Sequence, residues 1–320
     1  EKFTHVLAKL RRFLLSSKAM DVYKGKRLFI VLCRLDSRQV NGGRTQCQQC
    51  GYKAVAREKC FHAESIACYL YAKEINNMNL IIDVGNTNGK IAVFKHDKIV
   101  EVDTIKTSTI IQGINKFTQK YKAINRAIIS NVSISDNYEI KEHLSLQSIY
   151  FLSENLKLPF KNLYKSRETL GSDRIALASA AIKHYPNSNV LVIDAGTCIT
   201  MDFIDKNGNY HGGSISPGID MRYSSLNNYT SNLPELEKKY PHDIIGSSTE
   251  DSIHSGVVNG VIFEIRESIS EYQEKCKDIK VILIGGDSVF LSKPLKISIF
   301  ANQNFLLEGL NFILNLNIDS

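Results

Sequence analysis

The chain has 320 residues, 43% of them hydrophobic, and a formal net charge of +7 at pH 7. This length allows one or two globular domains with a large core, and no apolar run reaches the eighteen residues of a membrane-spanning helix. The start lacks the apolar stretch and small-residue cleavage site of a secretory signal. We therefore expect a cytoplasmic protein with no membrane partner.

The positive charge is concentrated in residues 1–77. This segment holds 15 Lys and Arg against 6 Asp and Glu, a net charge of +9, whereas the remainder holds 25 against 27, a net charge of −2. The overall basicity is therefore weak evidence for binding nucleic acid, which is not expected as a partner.

Residues 1–77 differ in composition as well. They hold five of the seven cysteines and open on Glu1, whereas Met78 stands directly before the first regular pattern. We predict a basic, cysteine-rich extension, non-native or disordered, that does not belong to the functional protein. Two alternatives remain open: an unrecognised structured extension and a small zinc module. The candidate zinc ligands are Cys47, Cys50, Cys60 and His62.

From Met78 onward, the pattern predicts three antiparallel strands, then alternating helices and strands. The strands are expected near 79–84, 89–94 and 98–104, followed by a helix over 108–121 and a strand over 127–131. The same order restarts with strands near 189–194, 199–205 and 210–215. A long buried helix is expected over 249–275, and a strand over 281–284. This predicts an α/β pair of duplicated domains, 78–188 and 189–320, with a cleft between them.

Each half begins with a buried strand that ends in Asp-x-Gly and turns into a second strand. The carboxylates at the two bends belong to Asp83 and Asp194. Glycine tolerates positive φ and lets backbone N–H groups approach a phosphate, to which Thr and Asn side chains add donors. A single Asp-x-Gly is usually an ordinary turn, but two copies facing one another would hold a nucleoside triphosphate from both sides.

A third motif opens an alanine-rich helix predicted over 175–182. Asp173 and Arg174 stand at its start, near the positive end of the helix dipole. Asp173 could simply cap the helix. The adjacent Arg174, however, suits a substrate that carries a carboxylate, through a bidentate pair.

Taken together, these blocks resemble type III pantothenate kinase, of the actin-like and sugar-kinase ATPase superfamily. The resemblance covers nearly all of the chain from Met78 and none of residues 1–77. Six blocks in the family's order carry it. They are Asp83-Val84-Gly85-Asn86-Thr87-Asn88-Gly89-Lys90, Gly171-Ser172-Asp173-Arg174, Asp194-Ala195-Gly196-Thr197, Gly212-Gly213 with Ser216-Pro217-Gly218, Gly246-Ser247-Ser248-Thr249 with Ser255-Gly256, and Gly285-Gly286-Asp287. The resemblance implies duplicated ribonuclease H-like domains with the nucleotide in the cleft between them.

The resemblance also implies how ATP and its cations are bound. The first block contacts the ATP phosphates, with Lys90 as a phosphate partner and Asp83 facing Mg²⁺ or its waters. Thr197 contacts ATP phosphate, and Asp194 holds a monovalent cation, K⁺ or NH₄⁺. The expected ATP-binding residues are Asp83, Val84, Gly85, Asn86, Thr87, Asn88, Gly89, Lys90 and Thr197.

For the acceptor substrate, the resemblance makes Asp173 the catalytic base. Thr249 matches a substrate-contacting Thr, although it also reads as a helix N-cap. Ser172 stands where the family most often has Ala, a change that the site should tolerate. Cys198, beside the second hairpin, is expected to be a small core residue. The expected substrate-binding residues are Tyr164, Gly171, Ser172, Asp173, Arg174 and Thr249.

The implied activity is ATP-dependent phosphorylation of pantothenate to 4'-phosphopantothenate, the first step of coenzyme A synthesis, by a homodimer. The alternative is a non-catalytic regulator, because members of this lineage have been named accessory factors for transcription. A degenerate regulator would be expected to lose one or more of Asp83, Asp173, Arg174, Asp194 and Thr197, all of which are present. The chain contains no Walker A motif, which disfavours an unrelated P-loop kinase.

Overall fold

Both Asp-x-Gly segments form the bends of antiparallel β-hairpins in the computed structural model, which describes residues 77–132, 137–152, 156–295 and 303–318. These residues all belong to one compact unit, Ile75–Ser320. No helix within the described ranges is both long enough and apolar enough to cross a membrane. The candidate zinc ligands of the first segment lie outside the described residues.

The first sheet has five strands in the order β3-β2-β1-β4-β5. Strand β2 is antiparallel to both of its neighbours, β1 and β3, and β4 and β5 run parallel to β1. The strands are β1 (Met78–Val84), β2 (Asn88–Lys95), β3 (Lys98–Lys106), β4 (Ile124–Asn131) and β5 (Ser148–Phe151), and the helices of this part are α1 (Ile110–Lys120) and α2 (Asn137–Glu142).

The second sheet also has five strands, in the order β10-β7-β8-β9-β6. Strands β7, β8 and β9 form the antiparallel meander, and β10 lies parallel to β7, as β4 does to β1. The strands are β6 (Lys161–Asn162), β7 (Val190–Ala195), β8 (Cys198–Ile204), β9 (Asn209–Pro217) and β10 (Lys280–Ile284). The predicted hairpin repeat is therefore present in both sheets.

Six further helices complete the described fold. The predicted long helix over 249–275 is present, but a π-helical turn at Ser255–Asn259 interrupts its α-helical hydrogen bonding. Its apolar stripe, including Val258, Val261 and Ile265, is buried as the helical spacing predicts. The helices are α3 (Ser172–His184), α4 (Ile219–Asn228), α5 (Thr249–His254), α6 (Gly260–Lys275), α7 (Ser288–Leu295) and α8 (Phe305–Ile318).

Three apolar clusters build the layers. One cluster joins α1 to the outer face of the first sheet, and another joins α4, α6 and α7 to the outer face of the second. The third cluster contains residues of both sheets together with α3 and α8. Helix α3 therefore lies between the two sheets, and this placement brings the start of α3 close to both hairpins.

Two features cross the predicted division at residue 188. Strand β6, from the first predicted domain, pairs with β9 in the second sheet. Helix α8, at the far end of the chain, bonds back to the first sheet, because the Asn79 side chain donates to Asn311 Oδ1 over 2.8 Å. The boundaries 78–188 and 189–320 stay a prediction.

Candidate active site

The first hairpin places a partly buried carboxylate at its bend. Asp83 is the residue of β1 directly opposite Lys90 of β2 and next to Ser130 of β4. Burial raises the pKa of Asp83 to about 6, although the Ser130 hydroxyl bonds it, and the charge of Asp173 adds to the rise. Lys90 donates from Nζ to the main-chain oxygen of Gln303 over 3.0 Å while its charge acts on Asp83.

The turn after Asp83 presents exposed polar residues from a tightly anchored backbone. Asn86, Thr87 and Asn88 are exposed, and the Gly85 N–H donates to the Asn88 carbonyl over 3.1 Å. A Cβ on Gly85 would lie 2.8 Å from that carbonyl oxygen, so the turn requires glycine there. Thr107 anchors the turn from β3's end, because its Oγ1 donates to the Gly85 carbonyl over 2.7 Å.

The second hairpin repeats the arrangement around Asp194. Burial raises the pKa of Asp194 to about 7, and the negative charges of Asp173 and Asp83 raise it further. Thr200 lies directly opposite Asp194 on β8, so the two side chains share a face of the sheet. The buried Thr200 Oγ1 has no hydrogen-bond partner among the described residues. A hydroxyl oxygen without a hydrogen-bond partner and a neighbouring carboxylate are together suitable ligands for a cation.

Glycine at position 285 is what lets the chain pass Asp194. Gly285 has φ +94°, and a Cβ there would lie 2.4 Å from both Asp194 Oδ1 and the Ala195 carbonyl oxygen. The predicted Gly285-Gly286-Asp287 turn thus lies against the second hairpin, where Asp287 N–H donates to Ala195 O over 2.9 Å. The Asp287 carboxylate is buried and pairs with Lys238 at 2.5 Å.

Asp173 lies in the first turn of α3 and is not its N-cap, which is Gly171. Its Oδ1 accepts the main-chain N–H of Arg174 over 2.8 Å, so the carboxylate folds back over the helix start. A Cβ on Gly171 would lie 2.4 Å from this Oδ1, which explains the glycine. Burial raises the pKa of Asp173, and the nearby Asp202 carboxylate adds to the rise.

Ser172, the residue that departs from the family pattern, has a partner. Its hydroxyl lies 2.9 Å from the hydroxyl of Ser130, which in turn bonds Asp83. The change is therefore accommodated by a polar neighbour, and it links the start of α3 to the first hairpin.

The structure alters one expectation about Arg174. The guanidinium is not free to form a bidentate pair with a substrate carboxylate. Its Nε and Nη2 both donate to the buried carboxylate of Asp202, over 2.6 to 3.1 Å. Tyr164, also a predicted substrate contact, covers the guanidinium with its ring centroid 5.5 Å from Cζ. A Cβ on Gly212 would lie 2.7 Å from the Tyr164 ring, so Gly212 makes room for it.

Sequence reasoning missed three residues of this cluster: Ser130, Asp202 and Tyr210. Tyr210 donates its hydroxyl to Asp202 Oδ1 over 2.5 Å. Asp202 was detectable in principle, since it is the one acidic residue within the otherwise uncharged segment 198–204. Ser130 and Tyr210 carried no such signal.

Thr249 lines a cavity whose walls include none of the clustered carboxylates. The N-cap of α5 is Ser248, whose Oγ accepts Asp251 N–H over 3.1 Å, so the alternative role of Thr249 as the cap is wrong. Thr249 instead lines an open cavity of about 660 Å³ with Arg222, and none of the four motif residues from Gly171 to Arg174 lines it.

Two further expectations concern cysteine and metal. Cys198 is exposed, with its sulfur 4.0 Å from that of Met221, so its interpretation as a core residue is wrong. Within the described ranges, no group of three or more His, Cys, Asp and Glu side chains is arranged as a metal site. A Mg²⁺ that is bound mainly through substrate phosphates needs only one or two carboxylates from the protein.

The raised pKa of Asp194 predicts that the free energy of unfolding depends on pH. The pKa of Asp194 rises from an ordinary value near 4 to about 7 on folding, so ionising Asp194 opposes folding. That cost is absent below about pH 4, grows between pH 4 and 7, and is complete above pH 7. Asp194→Asn is therefore expected to raise the thermal midpoint of the unliganded protein at pH 8 but not at pH 4, as measured by calorimetry.

Asp103→Asn is the matched control, because Asp103 is a more exposed carboxylate paired with Lys116. If Asp194→Asn changed the midpoint equally at both pH values, burial and repulsion would not be the source of the effect.

The chain matches known proteins over most of the described region. A family model described as type III pantothenate kinase matches residues 79–271. A type III pantothenate kinase from Christiangramia forsetii is 46% identical over 240 residues, which cover 75% of this chain and 99% of that protein. One from Flavobacterium johnsoniae is 43% identical over 243 residues, which cover 76% and 100%.

A solved structure gives an independent view of the fold. It is described as a Baf family transcriptional activator from Campylobacter jejuni, with a TM-score of 0.51 and 22% identity, and the match covers 75% of this chain and 100% of that one. At this identity the likeness concerns the fold alone.

Proposed function

This chain belongs to the type III pantothenate kinase family, and we propose that it transfers the γ-phosphoryl group of ATP to the primary hydroxyl of pantothenate. The family and the enzyme class predicted from the six motif blocks are confirmed, as is the duplicated α/β fold. The product, 4'-phosphopantothenate, begins the synthesis of coenzyme A. The observation that best supports this mechanism is the position of Asp173, at the start of α3 between the hairpins that carry Asp83 and Asp194.

The two hairpins are proposed to hold ATP. The exposed turn of the first, Asn86 to Asn88, offers N–H groups and side-chain donors to the phosphates, and Thr197 does so from the second. Lys90 would exchange its main-chain partner for a phosphate oxygen. The proposed ATP-binding residues remain Asp83, Val84, Gly85, Asn86, Thr87, Asn88, Gly89, Lys90 and Thr197.

The carboxylates suit cations that accompany ATP. The charge of Asp83 raises the pKa of Asp194, and a cation between or beside the two carboxylates would relieve that repulsion. Mg²⁺ is proposed to be held through Asp83 and the phosphates, and K⁺ or NH₄⁺ through Asp194, with Thr200 Oγ1 nearby as a donor without a partner. When bound, Mg²⁺ neutralises the charge that develops on the transferring phosphoryl group.

Asp173 is proposed to act as the base. As the pantothenate oxygen forms its bond to the γ-phosphorus, the hydroxyl proton moves to a carboxylate oxygen of Asp173, and the bond from phosphorus to the leaving oxygen of ADP breaks. Burial raises the pKa of Asp173, which makes its carboxylate a better proton acceptor. Tyr164, Gly171, Ser172 and Arg174 surround this point and are proposed to contact pantothenate.

Thr249 is proposed as a substrate contact through a homodimer. The cavity that it lines is open and is not lined by Asp173, and a second copy of the chain is proposed to bring the two together. Exposed apolar side chains on three adjoining elements favour such an interface: Ile215 on β9, Met221 on α4 and Phe263 on α6, between 42% and 61% exposed. Glu264 links these elements, because its carboxylate accepts hydrogen bonds from Ser216 Oγ and Arg222 Nη2, each over 2.5 Å.

Disrupting this surface is expected to weaken the dimer. Phe263→Glu places a charge at its centre and should raise the dimer dissociation constant at least about tenfold, as measured by sedimentation equilibrium. Val100→Glu, on the exposed face of the first sheet's edge strand, serves as the control and should leave the dimer intact. A wild-type chain that sediments as a monomer at every concentration would refute the proposal.

The activity is tested by ADP release from the full chain with ATP and Mg²⁺, with and without pantothenate, and with K⁺ replaced by Na⁺. Release that depends on pantothenate is expected, and K⁺ should raise it. A folded, dimeric protein without such release would support the regulatory alternative, which the kinase names of its relatives do not favour. The cytoplasm, which supplies ATP and K⁺, is the proposed location.

A further inference from the structure

Asp202 is the most completely buried carboxylate of the site, and no step of the mechanism uses it. Its exposed fraction is 0%, and it lies on β8 two residues beyond Thr200. Three donors converge on it: Nε and Nη2 of Arg174, and the Tyr210 hydroxyl at 2.5 Å. Donors from these two residues fix the position of the carboxylate beside the start of α3.

The partner of Asp202 is the immediate neighbour of the proposed base. Arg174 follows Asp173 in the chain, and its charge acts on Asp173. In the structure, Arg174 donates its main-chain N–H to Asp173 over 2.8 Å, whereas its guanidinium pairs with Asp202. If the Arg174 guanidinium were released from Asp202, the Asp173 carboxylate would be within its reach.

We propose that Asp202 is a positioning residue that holds the Arg174 guanidinium away from Asp173 and so keeps the Asp173 carboxylate open to the substrate hydroxyl. This inference rests on the proposed function of Asp173 as the base. It also explains why an arginine next to the base does not neutralise it. Tyr164 completes the restraint, because its ring covers the guanidinium, with its centroid 5.5 Å from Cζ.

The electrostatics agree with this geometry. The pKa of Asp173 is raised first by burial and then by the negative charge of Asp202. An Arg174 paired directly with Asp173 would instead lower that pKa and weaken the base. The position of the ion pair therefore affects the chemistry, whereas a purely structural ion pair would affect only the stability of the fold.

The test compares two variants. In Asp202→Asn the freed guanidinium is expected to capture Asp173, lowering kcat at least about tenfold while the KM for ATP stays unchanged. In the double variant Arg174→Met with Asp202→Asn no guanidinium remains, so kcat should recover about tenfold relative to Asp202→Asn, although the loss of Arg174 as a proposed substrate contact should raise the KM for pantothenate. A purely structural role predicts instead that kcat per folded molecule is the same in the wild type and in both variants, because only the amount of folded protein would change.

Folding and function are separated by controls. Asp205→Asn removes a carboxylate from the exposed turn after β8 and should leave kcat unchanged. If Asp202→Asn does not fold, because it leaves a buried arginine unpaired, the double variant still decides: a kcat well above that of Asp173→Asn supports the inference, and one as low as that of Asp173→Asn overturns it.

The remaining outcomes are also decisive. An active wild type with an unchanged kcat in Asp202→Asn, or with no recovery in the double variant, overturns the inference alone. A wild type without pantothenate-dependent ADP release refutes the proposed function, and this inference with it.

Discussion

Replacing Asp173 by asparagine is expected to lower kcat about tenfold or more and to leave the protein folded. Asparagine has the same shape and keeps the Oδ1 acceptor for the Arg174 N–H, but it cannot take up the proton of the pantothenate hydroxyl. The loss need not reach several orders of magnitude, because a loose phosphoryl-transfer transition state asks little of its base. Steady-state ADP release, with ATP and pantothenate each varied, measures the effect.

The variant should separate chemistry from binding. The KM for ATP should change little, since the two hairpins are untouched. The thermal midpoint at neutral pH should not fall, because the substitution removes a buried charge whose pKa burial has raised. Asp97→Asn, at an exposed carboxylate paired with Lys183, controls for the loss of one surface charge. Near-wild-type kcat in a folded Asp173→Asn would show that another group, or none, accepts the proton.

Gly309→Ala is expected to lower the free energy of unfolding by about 3 kcal/mol, the upper part of the range for overpacking. Gly309 is buried in α8 where this helix crosses α3. An alanine Cβ there would lie 1.9 Å from the Ala176 carbonyl oxygen and 3.1 Å from the Ala180 nitrogen. Backbone atoms of a packed helix cannot move aside as a side chain can, so the two helices must separate. The gain in helix propensity, about 1 kcal/mol, offsets only part of this cost.

Gly113→Ala is the matched control in chemical denaturation. Gly113 is also a buried helical glycine, in α1, but the new Cβ would meet only the side-chain ends of Ile105 and Ile91, at 2.3 and 2.7 Å. These ends can rotate, so the net change should stay within about 1 kcal/mol once propensity is included. Equal effects at the two positions would show that the contact between α3 and α8 is not as rigid as the structure indicates. Because α3 carries Asp173, Gly309→Ala should also lower kcat.

The hairpins were predictable because their signals are local. A buried strand, an acidic residue, a glycine turn and a second strand are contiguous in the chain, and the structure pairs Asp83 with Lys90 and Asp194 with Thr200 in adjacent strands. The start of α3 was predictable for the same reason. Local patterns also gave the apolar stripe of the long helix, although not its π-helical turn, which depends on how the packed segment accommodates its neighbours.

The ion pair between Arg174 and Asp202 was not predictable from local patterns. The two residues are 28 positions apart, and the prediction left Arg174 open for a substrate carboxylate. Only the packing of α3 against the second sheet shows that the buried arginine already has an internal partner. In the same way, Cys198 is exposed although it stands beside buried Ile199, because the hairpin turn ends there.

By itself, the sequence determined the family, the two hairpins and the residue types of the site, because these follow from contiguous motifs whose chemistry is carried by each segment alone. Tertiary structure decided which charges lie close together. Asp173 raises the pKa of Asp83, and Asp173 and Asp83 raise that of Asp194, only because α3 lies between the two sheets. It also decided which of two carboxylates Arg174 would neutralise. Electrostatic coupling depends on the distance between charges and on their burial, and neither can be inferred from the order of residues in the chain.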